Sequence, residues 1–291
     1  MKKVSLLILI VFNIAFCFSQ AKKSDPPKQG WTTKGKTSFL FNQSAFSNWV
    51  AQGENTVAAN IGLNYNFNYL KGKLTWKNNM LTSYGLTKSK NTEFEKKTDD
   101  RLEFNSLLGI NAESYWYYSV IFNFKTQFTK GFKYSKDANG KEIRTEYTKF
   151  FSPATFLLGP GMLWEKNEHF KFNIAPATTK LVIVDKEFTL PKDAYFGVGE
   201  GKSTRLELGF NASGRLKIEI MENISMEQII NLYANYLENP ENIDIDYTMN
   251  LIMKINSHFT TNLIFQTIYD DNAFEGFQIR EVFGLSFNYG F

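Results

Sequence analysis

The sequence predicts an all-β fold, namely a closed antiparallel β-barrel of about twelve strands that crosses a membrane. Three observations lead to this prediction. Apolar and polar residues alternate strictly through long segments, and the connections between these segments are alternately short and long. Aromatic residues make up 16% of the 291 residues, although the mean hydropathy is −0.30. Alternation with a period of two is the pattern of a strand with one apolar and one polar face.

The last segment of the chain shows the alternation most fully. Between Phe277 and Phe291, one parity is apolar and includes Ile279 and Phe283, whereas the other carries polar residues and glycine. The segment ends on an aromatic residue. This ending resembles that of bacterial outer-membrane β-barrel proteins, whose final strand closes the barrel and whose terminal Phe is read by the insertion machinery. The resemblance implies that Phe291 is a C-terminal insertion signal.

The same alternation predicts eleven earlier strands. They are expected at about Lys34 to Ser44, Asn55 to Leu70, Lys73 to Gly85, Arg101 to Glu113, Tyr117 to Phe132, Phe151 to Trp164, His169 to Val184, Ser203 to Ile220, Ile224 to Leu237, Ile243 to Asn256 and Phe259 to Tyr269. From the second strand to the eleventh, each even-numbered strand is joined to the next by a short turn, and most other connections are longer. Short turns at one end, longer loops at the other and an even strand count are typical of bacterial outer-membrane barrels.

A few positions interrupt the alternation. Pro153 and Pro160 fall in the sixth predicted strand, where proline is tolerated only at a bulge or a strand end. The seventh predicted strand loses its phase near Pro176. Glu281 falls on the apolar parity of the last strand, and a bulge near the start of that strand would move it to the polar face. We therefore expect irregular pairing around these positions.

The N-terminal residues have the composition of an export signal. Lys2 and Lys3 precede the apolar run Val4 to Phe18, which is too short for a membrane-spanning helix. We predict a cleaved signal peptide over residues 1–19, a flexible periplasmic segment over residues 20–30 and the barrel over residues 31–291. Attachment of lipid to Cys17 is a less favoured alternative, because bulky Phe16 precedes it.

The composition of the mature chain excludes several classes of function. Cleavage after Ser19 removes the only cysteine, which leaves neither a disulfide nor thiol chemistry. Cleavage also removes two of the 33 basic residues, leaving 31 against 29 acidic residues. This near-neutral balance gives no electrostatic reason to expect nucleic acid as a partner.

The polar parity of the strands predicts a lumen that is filled with water or with hydrogen-bonded side chains, because buried amides and charges need polar partners. Glu103 is expected to face Lys125 across the fourth and fifth strands. The predicted lumen-lining residues are Asn60, Asn64, Asn66, Lys77, Arg101, Glu103, Lys125, Arg205, Glu207, Arg215, Glu219, Glu227, Asp244, Asp246, Lys254 and Arg280.

Two functions follow from such a lumen. The first is a narrow channel or small-solute transporter with a polar lining of mixed charge. The alternative is a barrel that is filled by its own side chains and that anchors or assists an envelope protein assembly. Phe46 and Trp49, in the first long loop, are candidates for plugging the lumen or for contacting a partner, and anchoring at the membrane interface is an equally good interpretation.

No enzymatic activity is predicted. Hydrolases of the outer membrane need a nucleophile with a histidine, or paired carboxylates, at the outer rim. The only two histidines, His169 and His258, map to predicted periplasmic turns. Asp99-Asp100 and Asp270-Asp271 are a candidate Ca²⁺ site in the external loops, but the ligand spacing of a calcium loop is missing. We predict no metal and no cofactor, and the expected partners are outer-membrane lipid, the barrel-insertion machinery and other envelope proteins.

Four stretches together resemble an uncharacterised family of Bacteroidota outer-membrane proteins that is catalogued as a domain of unknown function. They are F-N-Q-S-A-F-S-N-W at Phe41 to Trp49, K-T-D-D at Lys97 to Asp100, T-Q-F at Thr126 to Phe128 and S-P-A at Ser152 to Ala154. The resemblance spans about Trp31 to Phe291 and implies a multi-pass β-barrel in the cell outer membrane. It implies no activity and no catalytic residues.

Overall fold

The computed structural model describes residues 28–47, 54–190 and 195–291. These residues form fourteen β-strands and one short 3₁₀ helix, Lys186–Phe188. The strands are β1 Gly30–Ser44, β2 Thr56–Lys71, β3 Leu74–Ser89, β4 Lys96–Glu113, β5 Trp116–Thr126, β6 Gly131–Lys136, β7 Glu142–Thr148, β8 Ala154–Glu165, β9 Phe170–Ile183, β10 Thr204–Met221, β11 Ile224–Asn235, β12 Ile243–Lys254, β13 Phe259–Asp270 and β14 Phe274–Gly290. The predicted signal peptide lies outside the described residues.

Twelve of the fourteen strands form one closed antiparallel barrel, and the prediction of a twelve-stranded barrel is confirmed. Around the barrel the strand order is β1-β14-β13-β12-β11-β10-β9-β8-β5-β4-β3-β2, and β6 and β7 form a separate two-stranded sheet. β1 begins and β14 finishes at the end of the barrel that carries the short turns. The longer connections lie at the opposite end. We call the end with the short turns the inner end of the barrel and the end with the longer connections the outer end.

The outward face of the barrel is apolar. Ile61, Leu206 and Ile279 alternate with inward-facing neighbours, and their side chains are 53%, 66% and 68% exposed. Apolar side chains that are exposed all round a closed barrel are suited to face lipid, and closure leaves no strand edge without a partner along the wall. The fold is therefore a barrel of the outer-membrane type.

Among the described residues, no helix combines the length and the apolar character needed to span a bilayer.

Aromatic rings collect at the short-turn end of the barrel. The Trp31 ring lies 5.1 Å from that of Tyr69 and 5.7 Å from that of Trp76, measured between centroids. On the other side of the barrel, Trp164 stacks on Phe172 at 5.7 Å. Rings that are apolar in the body and polar at one atom favour the interface between lipid and water, and this cluster is suited to position the inner end of the barrel there.

The prolines lie where the strand pairing is irregular, as the sequence predicts. The register between β8 and β9 skips from Leu158 to Met162, and Pro160 lies within the skip. The register between β9 and β10 shifts between Gly209 and Asn211, opposite the segment that contains Pro176. Pro153 precedes the first residue of β8. Because proline cannot donate a ladder hydrogen bond, these irregular positions accommodate it.

The fifth predicted strand is too long, and this prediction is corrected. β5 ends at Thr126, and of the residues expected to continue it only Gly131 and Phe132 are in a strand, at the start of β6, which pairs with β7 in a hairpin outside the barrel wall. The Asp100 carboxylate accepts the backbone N–H groups of Phe128 at 2.7 Å and Thr129 at 3.0 Å. These two hydrogen bonds hold residues 128–129 against Asp100, near the start of β4. The chain therefore leaves the ladder and does not extend the pairing of β5 with β8.

The turn expected within the long polar loop lies at the tip of this hairpin. Asp137 Oδ1 accepts the N–H groups of Asn139 and Lys141, both at 2.9 Å, and Gly140 takes a positive φ of 79° that glycine adopts readily. The sequence therefore marked the turn correctly, although the two short strands beside it were expected to be loop.

The first and last strands close the barrel through the shortest pairing in its wall. β1 and β14 share six residue pairs, from Lys36 with Gly290 to Phe41 with Leu285, whereas β2 and β3 share sixteen. Beyond these pairs, the Gly35 N–H donates to the Phe291 carbonyl at 2.7 Å, and the Phe291 N–H donates back at 3.0 Å. The Phe291 ring occupies the space that a Cβ at position 35 would need. Phe291 thus completes the closure, and its role as an insertion signal stays a prediction.

Glu281 lies on the outward parity of β14, where it pairs with Phe265. The pairing of β13 with the start of β14 does contain the expected register shift. It lies between Tyr269 and Asp270 of β13, and Gly276 of β14 has a φ of 148°. The shift precedes Glu281, however, so it does not carry this side chain to the lumen. The expected rescue of Glu281 by a bulge is therefore wrong.

The outer loops pack into a small cap. Val182, Val184, Tyr195 and Val198 form a buried apolar cluster against which Tyr147 packs. At its edge, Lys149 Nζ lies 2.6 Å from an Asp185 carboxylate oxygen. The hydrogen bond from Lys149 lowers the pKa of the Asp185 carboxyl below its ordinary value, and Asp185 raises the pKa of Lys149. The cap joins the β7–β8 and β9–β10 connections.

Candidate functional site

The candidate site is the set of inward-facing polar side chains of the barrel. The sixteen residues predicted to line the lumen all lie in barrel strands, on the parity opposite the exposed apolar residues. Glu103 and Lys125 are register partners in β4 and β5, as expected. Several of the sixteen contact each other or further polar residues from distant strands. Their part in the passage of a solute stays a prediction.

The first ion-pair network spans almost the full width of the lumen. Lys125 Nζ, from β5, lies 3.2 Å from Asp246 Oδ2, from β12. Around the barrel, four strands separate β5 from β12 in one direction and six in the other, so the two side chains reach from nearly opposite walls. Gln266 of β13 donates to the second oxygen of Asp246 at 2.9 Å. The lumen is therefore crossed at this position by an ion pair with a supporting amide.

A second network crosses the lumen between other strands. Asp99 Oδ2, from β4, accepts Arg280 of β14 at 2.8 Å and Asn60 of β2 at 3.0 Å. The sequence predicts that Asp99 lies in an external loop, whereas the structure places it inside β4, which begins at Lys96. Asp99 shares its parity with Arg101 and Glu103, and this shared parity is the signal that could have identified it.

The third network lies at the outer ends of β9, β10 and β12. Lys180 Nζ lies 2.9 Å from Asp244 and 3.7 Å from Glu207, and Arg205 Nε lies 3.2 Å from Glu207. Lys180 is absent from the predicted lining, because the phase of the seventh predicted strand is lost at Pro176. After the irregular pairing the alternation resumes with the opposite parity, so that Thr178, Lys180 and the buried Val182 share the inward face.

Asparagine side chains on the lumen-facing wall donate hydrogen bonds to one another, as expected of amides on that face. Asn79 Nδ2 donates to Asn64 at 2.7 Å and to Asn66 at 3.1 Å. Asn123 donates in the same way to Asn105 at 2.7 Å. These contacts run between neighbouring strands and leave the middle of the lumen to the charged side chains.

The inner end of the lumen is richer in cations. Lys77 pairs with Glu165, and Arg215 pairs with Glu227. Within the described part of the chain, Lys36, Lys171, Lys217 and Lys254 form no ion pair. Lys36, Lys217 and Lys254 line a cavity of about 510 Å³ that opens between the ends of β1, β10 and β12 and their turns. Lys36, Lys171 and Glu165 are absent from the predicted lining, although each lies on the parity of its strand that faces the lumen.

The histidines lie in short turns, as predicted. His169 is in the turn 166–169, and His258 is in the turn 255–258, both at the inner end of the barrel. Neither position is near the outer rim, where a hydrolytic site was considered. The prediction that the chain is not an enzyme stays a prediction.

The two aspartate pairs that are candidates for a Ca²⁺ site, Asp99-Asp100 and Asp270-Asp271, do not come together in the structure. Asp99 binds Arg280, and Asp100 lies 2.7 Å from Lys97. Instead, one carboxylate oxygen each of Asp244, Asp270 and Asp271 lie within 4.8 Å of one another. This spacing could hold a divalent cation, but the Lys180 ammonium already neutralises Asp244.

The aromatic candidates of the first long loop are described only in part. Phe46 is 40% exposed, and its backbone N–H donates to the side chain of Asn55. Trp49 lies outside the described residues. The plugging, docking and anchoring hypotheses for this loop therefore stay open predictions.

A comparison with protein families gives one match. Residues 41–132, about a third of the chain, match the model of a family described as "Protein of unknown function (DUF3078)". The expected resemblance to a family of uncharacterised function is confirmed over this segment, which runs from the middle of β1 to β6. A Bacteroidota origin stays a prediction. No curated protein matches the chain.

Several solved structures are similar to this chain at very low sequence identity and with low TM-scores. The translocator domain of the autotransporter NalP from Neisseria meningitidis is 8% identical, with 98% of this chain and 94% of that chain covered and a TM-score of 0.42. An outer-membrane channel from Pseudomonas putida F1 is 12% identical, with coverage of 92% and 99% and a TM-score of 0.41. The NanC porin is 8% identical, with coverage of 89% and 98% and a TM-score of 0.36. By its own strand topology and apolar outer face the chain is a barrel of the outer-membrane type, and its residues 41–132 match a family of unknown function.

Proposed function

We propose that this protein is a narrow, non-enzymatic channel of the outer membrane for ions and small polar solutes, constricted by ion pairs that cross its lumen. The observation that carries the proposal is the Lys125–Asp246 pair. Its two side chains extend from nearly opposite walls and are 39% and 24% exposed. A pair that fills part of the cross-section and still contacts water describes a constriction rather than a dry core.

The charges of the constriction are held by several strands. Arg280–Asp99 joins β14 to β4, and Lys180–Asp244 joins β9 to β12. Partly desolvated ion pairs are stable only where further hydrogen bonds satisfy them, and Gln266 and Asn60 supply such bonds here. Fixed charges of both signs would slow ions and admit small polar solutes that replace hydration by contact with the lining.

A second candidate function is a sealed barrel that anchors or assists an envelope assembly. The observation that favours it is the outer cap of Tyr147, Val184, Tyr195 and Val198, which gives the exterior a packed surface. In this alternative, the same cross-lumen pairs brace the wall and close the lumen. The two candidates differ in whether solute passes.

Liposome swelling separates the two candidates. We expect vesicles that contain the refolded mature protein to swell in iso-osmotic arabinose and to swell much more slowly in sucrose, because the constriction admits only small solutes. Vesicles without protein are the control. Absence of swelling in both sugars, in vesicles that contain folded barrel, would contradict the channel and favour the sealed barrel.

A further inference from the structure

The inner mouth of the lumen is a cavity of about 510 Å³ with lysines on several sides. Lys34 and Lys36 come from β1, Lys217 from β10 and Lys254 from β12. Around the barrel, β1 and β10 are separated by four intervening strands in the direction that passes β12. The ammonium groups therefore approach the cavity from different parts of the wall.

The lysines outnumber the carboxylates in this cavity. Glu219 and Glu222 are the two acidic residues among the described residues that line it. None of Lys34, Lys36, Lys217 and Lys254 forms an ion pair with any part of the chain that the structure describes. The cavity thus carries an excess of positive charge, with four lysines against two carboxylates among the described residues that line it.

The wall above the cavity adds to this excess. Lys171 of β9 interacts electrostatically with Lys77 and Arg215, two further cations. The nearby carboxylates of Glu165 and Glu227 are already bound by Lys77 and Arg215. Lys171 therefore extends the unpaired positive charge from the mouth into the lumen.

Like charges held close together in a concave, partly desolvated site repel one another, and an anion that contacts two of them relieves the repulsion. We infer that the inner mouth is a binding site for small anions that carry phosphate or carboxylate groups. Flexible lysine side chains act as point charges and suit phosphate and carboxylate oxygens without requiring one fixed geometry. The claim that such anions pass through the lumen rests on the proposed function, whereas the claim that they bind at the inner mouth does not.

The binding is tested with inorganic pyrophosphate and the refolded mature protein in detergent micelles, by isothermal titration calorimetry at low ionic strength. We expect saturable binding that weakens by about tenfold in the double variant Lys36→Gln/Lys254→Gln, because two of the contributing charges are lost. Raising the salt concentration should weaken the wild-type binding as well. The difference in gel mobility between heated and unheated samples shows that each variant forms the barrel.

The matched control is Lys73→Gln. Lys73 is an exposed lysine in the turn between β2 and β3, at the same end of the barrel but outside the cavity. We expect this variant to bind pyrophosphate as the wild type does. Absence of saturable binding, or equal affinities of the wild type and the double variant, would overturn the inference. Binding by a barrel that passes no sugar would keep the inference and reject the channel, and a conducting barrel without binding would do the reverse.

Discussion

Replacing both Lys125 and Asp246 with alanine is expected to raise the single-channel conductance about twofold or more, because it removes both side chains that cross the lumen. The two charges lie 3.2 Å apart and come from strands on nearly opposite walls. Removing them together leaves no unpaired partner of this ion pair, so the barrel should still fold. The measurement is the conductance of the variant and of the wild type in the same planar bilayer at the same salt concentration.

The two single variants should change ion selectivity in opposite directions. Lys125→Ala leaves the Asp246 carboxylate in the constriction and should shift the reversal potential in a salt gradient towards cations. Asp246→Ala leaves the Lys125 ammonium and should shift it towards anions. Lys130→Ala is the control, because the Lys130–Glu146 pair lies in the outer hairpin connection and Lys130 is 62% exposed. A double variant that conducts as the wild type does, with no shift in either single variant, would show that this pair does not lie in the ion path.

Replacing Gly209 with alanine is expected to reduce the free energy of unfolding by on the order of 3 kcal/mol, as overpacking of a filled interior does. A Cβ at position 209 would lie 2.1 Å from the carbonyl oxygen of Ala234 and 2.9 Å from the ring of Tyr233. The carbonyl belongs to the backbone of β11, and the Tyr233 side chain is buried. Neither can move aside without displacing the neighbouring strand.

The measurement is unfolding by guanidinium in lipid vesicles, followed through tryptophan fluorescence. Gly214→Ala provides a control in the same strand, because the nearest atom to its Cβ would be the γ2-methyl carbon of Ile230 at 3.3 Å, so that a shift of a few tenths of an ångström accommodates it. We expect the midpoint of Gly214→Ala to remain close to that of the wild type. Equal midpoints for the two variants would mean that the wall at Gly209 can relax and that Tyr233 does not fix the approach of β10 to β11.

The sequence alone predicts the barrel wall because the wall is built from local alternation. β2 and β14 each carry an apolar and a polar parity, and membrane lipid forces that pattern on every strand that spans it. The apolar parity therefore identifies the strands and their outward faces together. The same constraint explains why the number of barrel strands is predicted correctly.

Strand segments beyond the lipid are harder to predict from the sequence. β3 continues to Ser89, β4 begins at Lys96, and β6 and β7 lie outside the wall. Outside the membrane, outward side chains are free to be polar, so the alternation fades although the hydrogen-bonded ladder continues. The Asp137 turn was visible because turn residues have local preferences that do not depend on lipid.

The contacts within the lumen could be predicted only in part. Glu103 and Lys125 lie in neighbouring strands, and the sequence predicts that they face each other. Lys125 nevertheless forms its ion pair with Asp246, whose strand is distant in the barrel. Such contacts depend on the barrel's width and on the stagger of all its strands, which no single segment encodes. Lys180 is not predicted because Pro176 interrupts the alternation of its strand, whereas Lys171 lies before Pro176 on the parity that faces the lumen.

The most direct test of a constricted but open lumen is the single-channel conductance of the refolded, mature wild-type protein in a planar bilayer. We predict discrete and reproducible steps that are small compared with those of a wide general porin, because charged side chains cross the lumen at Lys125–Asp246 and Asp99–Arg280. A folded barrel that inserts into the bilayer and stays silent would contradict the channel, and the proteins that co-purify with it from the outer membrane would then be the subject to pursue.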